Sequence, residues 1–373
     1  MTGERPPVLQ VLVSTQPGGG PQHVLTLVAG LRGRGWRFIV AGPRDGVLFE
    51  RFGPLAVAVV ETRTDRLNPL TVVKLVRLIR RHGVGLVHSH GKGAGLHGRL
   101  AARIAGVPAI HTLHGLHYEQ YGAVGRAAYL GLERRLASLT RVIVNVSRAQ
   151  QQEGLALGLF QARQSRVVVN GVDSARLAAR QLDRWDARAL LGLDQSALVI
   201  GSVARFDPVK QLDVLLRATA LARPSATVAL VGRGPEAARL KALAAELHLG
   251  PRAVFPGEVE DAARCLAAFD LDAAPSRKEG LPLGVLEAMA LGLPVVASDI
   301  AAHREVLGPV ADALVTATPE AFGARLGTLL ADAGQRAILG AQNRTRARSE
   351  FDVRSMLDAL DGVYREVLGA VVP

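Results

Sequence analysis

The chain has 373 residues, of which 49% are hydrophobic and 4% aromatic, and it carries a formal net charge of +12. This length allows two domains with separate cores, whereas the single cysteine, Cys265, excludes an internal disulfide. The small number of aromatic side chains disfavours a protein that binds nucleic acid by stacking bases on aromatic rings.

The positive charge is concentrated in the first half of the chain. Residues 1–170 contain 22 Lys and Arg side chains and 8 Asp and Glu side chains, a balance of +14, so that residues 171–373 carry −2. We interpret this asymmetry as two domains with different partners, the first facing an anionic polymer or an anionic membrane surface. The alternative is a general use of Arg as a solubilising residue.

No segment of the sequence has the pattern of a signal peptide or a membrane span. The N-terminus lacks a basic segment followed by a long apolar one, and the most apolar window, residues 280–298, contains Glu287 and Pro294. We therefore expect a cytoplasmic protein, with peripheral binding at the inner face of the plasma membrane left open.

Short runs rich in Val and Ile alternate with longer Ala, Leu and Arg segments along the whole chain. This alternation is typical of buried parallel strands joined by crossover helices, and it predicts an α/β fold of two doubly wound, Rossmann-like sheets. The first domain is predicted at residues 1–175 and the second at residues 176–349, with the join in the polar segment 170–194. The predicted strands are residues 8–14, 37–41, 56–61, 86–89, 109–113, 141–146 and 166–170 in the first domain, and 198–204, 227–232, 253–256, 271–274, 294–297 and 313–316 in the second.

The segment STQPGGGPQHV follows the first predicted strand and opens a helix. Gly18, Gly19 and Gly20 would let backbone N–H groups approach a phosphate, although a tight turn explains these glycines equally well. No Lys follows them as in a P-loop.

The predicted helix PLTVVKLVRLIRRHG carries Lys74, Arg77, Arg80 and Arg81 within two turns of an apolar face. This pattern is typical of an ordinary crossover helix with a cationic outer face. The functional alternative is a membrane-surface patch, because each cation near an anionic lipid surface adds about 1 kcal/mol.

Histidines gather in and after two predicted strands, at residues 88–90 and 111–117. His114 directly follows a strand end and is therefore the best candidate for a ligand-binding histidine. We expect satisfied or exposed side chains for His88, His90, His111 and His117, because their spacing does not match a zinc motif.

Arg205 and Lys210 lie five residues apart, just after predicted strand 198–204. Two cations above a strand end would form a diphosphate clamp, in which Arg binds through its bidentate fork and Lys acts as a point charge. The alternative is a pair of surface cations.

Two further motifs resemble binding motifs but lack a necessary part. Gly232, Gly234 and Ala237 match G-x-G-x-x-A, but no acidic residue follows about twenty positions later, so we do not expect NAD binding. Asp270 and Asp272 form a D-x-D, but they begin a strand and no other ligand lies close in sequence, so we expect no metal site.

The segment KEGLPLGVLEAMA contains two carboxylates, Glu279 and Glu287. Glu287 is the only charged residue between Leu281 and Pro294. Gly280 allows a turn and Pro282 suits a helix start, so we predict a loop followed by a helix over residues 283–291. The free N–H groups of such a helix start favour an anion, and the two carboxylates would suit hydroxyl groups attached to it. A loop charge and a solvent-facing helix charge remain the alternative.

Taken together, these residues resemble a retaining glycosyltransferase of family 4 with the GT-B fold, in which two Rossmann-like domains face each other across a cleft. The family signature of two Glu residues separated by seven others resembles Glu279 to Glu287. Arg205 and Lys210 resemble its cation pair, and Gly18–Gly20 its first loop. The stretch HSHGKGAGLHGRLAARIAGVPAIHTLHG is similar to members that build bacterial capsular, exopolysaccharide or lipopolysaccharide units.

The resemblance implies a role for each of these residues. Glu279, His114, Arg205 and Lys210 would serve catalysis, with Glu279 on the sugar hydroxyls, and Glu287 would bind the ribose hydroxyls. Donor contacts would come from Gly19, Gly20, Gly280, Leu281, Gly257 and Val259. Many members have an aromatic residue where this chain has Leu281, and this difference leaves the choice of donor open.

The resemblance also implies the reaction. It implies metal-independent transfer of a hexose from a nucleotide sugar, UDP-sugar above all, with no cofactor and with the departing phosphate oxygen as base. The expected partners are the nucleotide sugar, a lipid-linked or glycan acceptor and an anionic membrane surface, and a C-terminal helix at residues 350–373 would cross back to the first domain. A soluble acceptor or a GDP- or ADP-sugar is the alternative, and a basic nucleic-acid-binding protein is the alternative from another class.

Overall fold

The computed structural model describes residues 5–116, 118–119, 121–222, 226–308 and 313–369. The chain divides into two compact units, one of Met1–Asn170 with Ser355–Pro373 and the other of Gly171–Arg354. Residues 1–4, His117 and residues 370–373, which belong to sequence-based predictions made above, lie outside the described residues.

The first unit contains a seven-stranded parallel sheet with crossover helices. Its strands pair in the order β3-β2-β1-β4-β5-β6-β7, and their buried Val, Ile and Leu side chains form its core. The elements are β1 (Val8–Leu12), α1 (Gly19–Arg32), β2 (Phe38–Gly42), α2 (Leu48–Arg51), β3 (Ala58–Glu61), α3 (Pro69–His82), β4 (Leu86–His90), α4 (Lys92–Ala105), β5 (Ala109–Leu113), α5 (Ala123–Ala137), β6 (Val142–Asn145), α6 (Arg148–Ala156) and β7 (Ser165–Val167).

The second unit contains a six-stranded parallel sheet with strand order β10-β9-β8-β11-β12-β13. An apolar cluster lies between this sheet and its helices. The elements are α7 (Ser174–Arg180), α8 (Arg184–Leu191), β8 (Leu198–Val203), α9 (Leu212–Ala222), β9 (Ala226–Val231), α10 (Ala237–Glu246), β10 (Ala253–Gly257), β11 (Leu271–Ala274), α11 (Leu283–Ala290), β12 (Val295–Ser298), α12 (Ala301–Leu307), β13 (Leu314–Val315), α13 (Pro319–Ala331) and α14 (Ala333–Glu350), and α15 (Val353–Gly369) then returns to the first unit.

Each predicted strand has a counterpart among these elements, which confirms the fold class of two doubly wound sheets. The polar join contains two short helices that had not been predicted, α7 and α8. The Asp173 and Asp183 side chains accept hydrogen bonds from the Arg176 and Asp186 N–H groups and thereby cap these helices. These caps explain why so polar a segment is helical.

The returning helix α15 is anchored in the first unit by aromatic side chains. Tyr364 is fully buried and packs edge-on against Trp36, with ring centroids 5.2 Å apart. The Trp36 indole N–H donates to Asp361 Oδ1 at 2.6 Å. Both contacts join α15 to residues near the start of the chain, which is why the C-terminal segment belongs to the first unit.

In each sheet the strand order reverses once, between β1 and β4 in the first and between β8 and β11 in the second. Ligands of doubly wound sheets bind at the carboxyl ends of the strands beside such a reversal. The segments that follow these four strands contain Gly18 and the first residues of α1, Gly19 and Gly20, and also Gly91, Arg205 and Glu279. The topology therefore places the predicted site residues where ligand binding is expected.

Candidate functional site

In the second unit, Glu279 pairs with Lys210. The Lys210 ammonium donates to Glu279 Oε1 at 2.6 Å, and the Arg277 N–H donates to the Val209 carbonyl at 2.8 Å beside it. Burial would raise the pKa of the Glu279 carboxyl, but the charge and hydrogen bond of Lys210 outweigh it and lower this pKa. Glu279 is therefore an anion at neutral pH, held by the cation that the sequence had assigned to the same site.

Glu287 lies on α11 in a different electrostatic environment. Burial and the nearby Asp261 carboxylate raise the pKa of Glu287 to about 7. Burial and Glu287 raise the pKa of Asp272, on β11, to about 8. Among the described residues, no side chain or N–H group donates a hydrogen bond to the Glu287 carboxylate. The half-buried Glu287 and the buried Asp272 thus lie in one region, where their oxygens can accept hydrogen bonds from hydroxyl groups.

The start of α11 provides backbone N–H groups beside these carboxylates. Its N-cap is Pro282, which makes no side-chain cap, so the first N–H groups of the helix have no intrahelical partner. Gly280 and Leu281 are buried in the loop immediately before it. Gly284 faces the Val203 carbonyl, at a distance of 3.2 Å from the position of a side-chain Cβ, so α11 begins over the end of β8. The predicted helix start at Leu283 is thus confirmed, and the helix ends one residue earlier than predicted.

Arg205 is not joined to Glu279 as Lys210 is. Its guanidinium donates through Nε to Asp207 Oδ2 at 2.8 Å and remains 56% exposed. The described structure therefore places each cation of the predicted clamp against a carboxylate of its own. An exposed Arg held by a neighbouring carboxylate can exchange that partner for another anion at small cost.

Gly257 is the last residue of β10, and Val259 lies just after it. Gly257 has a positive φ of 84°, and its carbonyl accepts a hydrogen bond from the Gly232 N–H at 2.8 Å. Gly232 and Gly234 lie so close to the Ala204 and Phe206 backbone that no side chain fits at either position. The close packing of two loops therefore explains the G-x-G-x-x-A pattern without a dinucleotide.

Asp270 of the D-x-D pair is a structural residue. Its carboxylate binds the Arg184 and Arg188 guanidinium groups at 2.8 and 3.1 Å and accepts the Val199 N–H at 2.8 Å. Within the described ranges, no group of three or more His, Cys, Asp or Glu side chains has a geometry suited to a metal ion. Asp270 and Asp272 therefore have different surroundings: Asp270 is paired with Arg184 and Arg188, whereas the charge that acts on Asp272 is that of Glu287.

In the first unit, the glycine loop lies against His114. Gly18 is the N-cap of α1 and makes no side-chain cap. A Cβ on Gly20 would meet the His114 ring at 3.4 Å. The helix start and the predicted histidine are thus neighbours, although they are far apart in sequence.

His114 is half-buried and adjoins a cluster of buried histidines that sequence spacing did not predict. His88, His90 and His111 are buried and hydrogen-bonded, and burial is the main cause that lowers the pKa of each ring. We expected these three side chains to be either hydrogen-bonded or exposed, and the structure shows that they are hydrogen-bonded. His23, on α1, had not been predicted at all; its position four residues after Gly19 in a helix that starts at the glycine loop was the available signal.

The second unit also contains a residue that had not been predicted. His303, on α12, is buried and its Nδ1 lies 2.8 Å from the Ser298 carbonyl, while its Nε2 has no partner among the described residues. Burial lowers the pKa of His303 although the Glu279 charge opposes this shift. The signal in the sequence was its place in the first turn of the helix after β12.

Among the described residues, no helix is both long and apolar enough to cross a membrane. One helix, α3, has an exposed face of mixed character. Leu67, just before the helix, and Leu70 and Val73 within it are 75%, 74% and 43% exposed. Arg77, Arg80 and Arg81 are exposed further along, whereas the Lys74 ammonium donates to the Glu61 carbonyl.

Two family models match consecutive parts of the chain. The model described as Glycosyltransferase Family 4 matches residues 17–176, and the model described as Glycosyl transferases group 1 matches residues 197–332. The first match lies in the first unit except for a few residues, and the second lies within the second unit.

Relatives in sequence and structure extend these matches. A D-inositol 3-phosphate glycosyltransferase of Salinispora tropica is 33% identical over 351 residues, which are 85% of this chain and 71% of the relative. An Escherichia coli UDP-Gal:alpha-D-GlcNAc-diphosphoundecaprenol alpha-1,3-galactosyltransferase is 28% identical over 239 residues, 62% of each chain. The crystal structure of Anabaena HepE in complex with UDP and glucose is similar with a TM-score of 0.86 at 23% identity, over 97% of this chain and 100% of HepE.

Proposed function

Because the chain belongs to glycosyltransferase family 4, we propose that it transfers a hexose-type sugar from a UDP-sugar to a hydroxyl group of a phosphate-bearing acceptor. Its two Rossmann-like sheets and its similarity to HepE over nearly the whole chain show the GT-B fold class. The observation that carries the proposal is the pairing of Lys210 with Glu279 beside the uncapped start of α11, about one turn before Glu287.

The donor's parts match the groups of this site in chemistry. Lys210, Arg205 and the N–H groups at the start of α11, with Gly280 and Leu281 just before it, would bind the diphosphate. Glu287 would accept hydrogen bonds from the ribose hydroxyls, which provide the donors its carboxylate lacks among the described residues. Glu279 would bind hydroxyl groups of the sugar.

Other donor contacts are assigned by the family resemblance. Gly257 and Val259 would lie along the nucleotide, and Gly19, Gly20 and His114 of the first unit would contact the sugar and its phosphates. UDP is proposed as the nucleotide because HepE binds UDP and the Escherichia coli relative uses UDP-Gal by name.

The proposed reaction retains the configuration of the anomeric carbon. The acceptor hydroxyl attacks this carbon on the face from which the diphosphate leaves, and the acceptor proton passes to the departing phosphate oxygen. Lys210, Arg205 and the helix dipole of α11 would stabilise the developing negative charge, so the reaction needs no metal ion or cofactor. The site thus acts by electrostatic stabilisation of the leaving group.

Two observations bear on the acceptor. The exposed apolar and cationic face of α3 and the charge of the first half favour a lipid-linked diphosphate at the inner face of the membrane, as in cell-surface polysaccharide synthesis. The Salinispora relative, by contrast, is named for inositol 3-phosphate, which favours a soluble acceptor. Both acceptors bear phosphate, which suits a basic first unit.

Thermal unfolding tests the donor site directly. A nucleoside diphosphate that binds the folded state raises the melting temperature, and we expect UDP in excess, without added metal, to raise it more than GDP, ADP or NAD. Arg205→Ala should abolish this shift. Arg239→Ala is the matched control, because Arg239 is an equally exposed, ion-paired Arg of the same unit.

The acceptor is then tested with radiolabelled UDP-sugars and two acceptors, undecaprenyl-diphosphate sugar and inositol 3-phosphate. Product from only one of them identifies the acceptor class. If no nucleoside diphosphate changed the melting temperature, but duplex DNA did so at physiological salt, the proposal would fail in favour of a nucleic-acid-binding protein.

A further inference from the structure

We propose that His90, Gln10 and Tyr364 are positioning residues that fix the tautomer and ring orientation of His114 through a chain of buried hydrogen bonds. This inference rests on the proposed function only in that His114 acts on the donor. The hydrogen-bond chain itself is a property of the first unit and is observable without substrate.

The chain of hydrogen bonds begins at His114 and ends on the returning helix α15. His114 Nε2 lies 3.1 Å from His90 Nδ1, and the two rings are stacked with centroids 5.3 Å apart. His90 Nε2 lies 2.8 Å from Gln10 Oε1. The Gln10 amide donates in turn to the Tyr364 hydroxyl at 2.9 Å. His90, Gln10 and Tyr364 are all at least 97% buried, so water does not compete for these bonds.

The Tyr364 hydroxyl continues the chain to a further histidine. It lies 2.7 Å from His88 Nδ1, and His88 Nε2 lies 2.7 Å from Thr112 Oγ1. The hydroxyl accepts the Gln10 N–H and still has its own proton to donate to His88 Nδ1. In that arrangement His88 carries its proton on Nε2 and donates it to Thr112.

The orientation of the Gln10 amide determines the tautomers on the other side. Since Gln10 Oε1 only accepts, His90 must donate from Nε2, which leaves its Nδ1 as an acceptor. His114 must then donate from Nε2 to His90 Nδ1. His114 Nδ1 is left with a lone pair, and it has no hydrogen-bond partner among the described residues. The chain thus prepares this nitrogen to accept a hydrogen bond from a sugar hydroxyl.

The surroundings keep every ring of the chain neutral. Burial is the main cause that lowers the pKa of these rings, and the titratable groups that act on them are other histidines. One of them, His23, packs edge-on against His114 with ring centroids 5.1 Å apart. No carboxylate is among the causes that act on His88, His90 or His114. A neutral ring has one donor and one acceptor nitrogen, so fixing one bond fixes both roles.

The chain gives α15 a role besides packing. Tyr364 comes from the C-terminal helix, whereas Gln10 and His90 lie on the neighbouring strands β1 and β4 at the reversal of strand order. The docking of α15 therefore completes the support of a residue at the ligand-binding edge of the sheet. Similar supports for metal-ligating histidines commonly determine the tautomer of the residue they hold.

The test is a long-range ¹H–¹⁵N correlation NMR spectrum of the full-length protein labelled with ¹⁵N-histidine, recorded without substrate. We expect His114 to be protonated on Nε2 and unprotonated on Nδ1. Its signals are assigned by their loss in His114→Gln. His90→Ala should give a mixture of His114 tautomers, and Tyr364→Phe a smaller change. His90→Asn, whose carbonyl takes the place of Nδ1, should restore the Nε2–H form.

Steady-state kinetics distinguishes a positioning role of His90 from a purely structural one. His90→Ala should lower kcat by about 10-fold with little change in the donor KM, and His90→Asn should recover most of it. His111→Asn is the matched control: His111 is equally buried and bonded to Ser89 at 2.9 Å, but it is outside the chain, so it should lower the melting temperature without changing the His114 tautomer.

The outcomes distinguish the two proposals. A His114 protonated on Nδ1, or a tautomer unchanged by His90→Ala, would overturn the positioning role even in an active transferase. The expected tautomers in a protein that transfers no sugar would support the hydrogen-bond chain and count against the proposed function instead.

Discussion

The Lys210 ammonium lies 2.6 Å from Glu279 Oε1, and both side chains are largely shielded from solvent, with 25% and 12% exposed. This contact joins the loop after β8 to the loop after β11, the two strands between which the order of the second sheet reverses. An anionic ligand that binds Lys210 therefore also meets the Glu279 carboxylate. The arrangement suits a ligand with both phosphate and hydroxyl groups.

Removing Lys210 should cost both stability and activity. Lys210→Ala leaves the Glu279 charge partly buried without its cation, and we expect a loss of about 2 kcal/mol, between the values for exposed and buried pairs. For a domain of this size that corresponds to a melting temperature lower by about 4–8 °C. Differential scanning calorimetry measures it.

The double variant Lys210→Ala/Glu279→Ala provides the control for this prediction. Removing both charges should recover part of the lost stability while leaving the enzyme inactive. Strictly additive losses in the double variant would mean that the two side chains do not interact in solution.

Glu287→Gln should stabilise the protein at alkaline pH. The folded-state pKa of Glu287, about 7, lies above its ordinary value of 4.5, so its contribution to stability is present below pH 4.5 and is lost as the pH rises through 7. The amide does not ionise and avoids this loss. We therefore expect the variant to melt higher than the native protein at pH 8, with the difference shrinking towards pH 5.

The same substitution should weaken donor binding. An amide accepts hydroxyl hydrogen bonds less strongly than a carboxylate, so the melting-temperature shift with UDP should fall. Glu246→Gln, on α10 of the same unit, is the control for removing a carboxylate. A Glu287→Gln variant with an undiminished UDP shift would refute the ribose assignment.

Acid should destabilise the first unit through its buried histidines. Burial lowers the pKa of His23 from 6.5 to about 4, and the rings of His88, His90 and His111 are lowered as well. The unfolded chain therefore binds more protons below pH 6.5, and stability falls as the pH drops from 6.5 towards 4. Each such ring contributes up to about 1.4 kcal/mol per pH unit.

Denaturant unfolding between pH 7.5 and 5 measures this slope. His23→Gln should reduce it, whereas His248→Asn, which replaces an exposed histidine of the second unit, should leave it unchanged. Equal slopes for the native protein and His23→Gln would show that His23 is not protonated on unfolding in this range.

The exposed face of α3 should bind anionic membranes if the acceptor is lipid-linked. We expect the protein to sediment with phosphatidylglycerol vesicles and not with phosphatidylcholine vesicles, because cations and apolar side chains act together there. Leu67→Ser/Leu70→Ser should reduce binding several-fold. Leu190→Ser/Leu221→Ser, with two exposed leucines of the second unit, should not.

Much of this protein was predictable because its signals are local. The buried strands appear as short apolar runs, and the start of α11 follows from Gly280 and Pro282 within a few residues of Glu279. The outcome for the histidines was different. His88 and His90 looked like members of a loosely spaced cluster, and only the parallel pairing of β1 with β4 brings His90 to Gln10.

The sequence by itself determined the two α/β sheets, the loops that carry Glu279, Lys210 and His114, and the family resemblance, since each depends on residues close together along the chain. Only the tertiary structure decided that Lys210 pairs with Glu279, that burial and the Glu287 charge raise the pKa of Asp272, and that Tyr364 supports the histidine chain. These contacts join residues up to 354 positions apart. Their energies depend on burial and on the direction of each hydrogen bond, which arise when the sheets and α15 pack together.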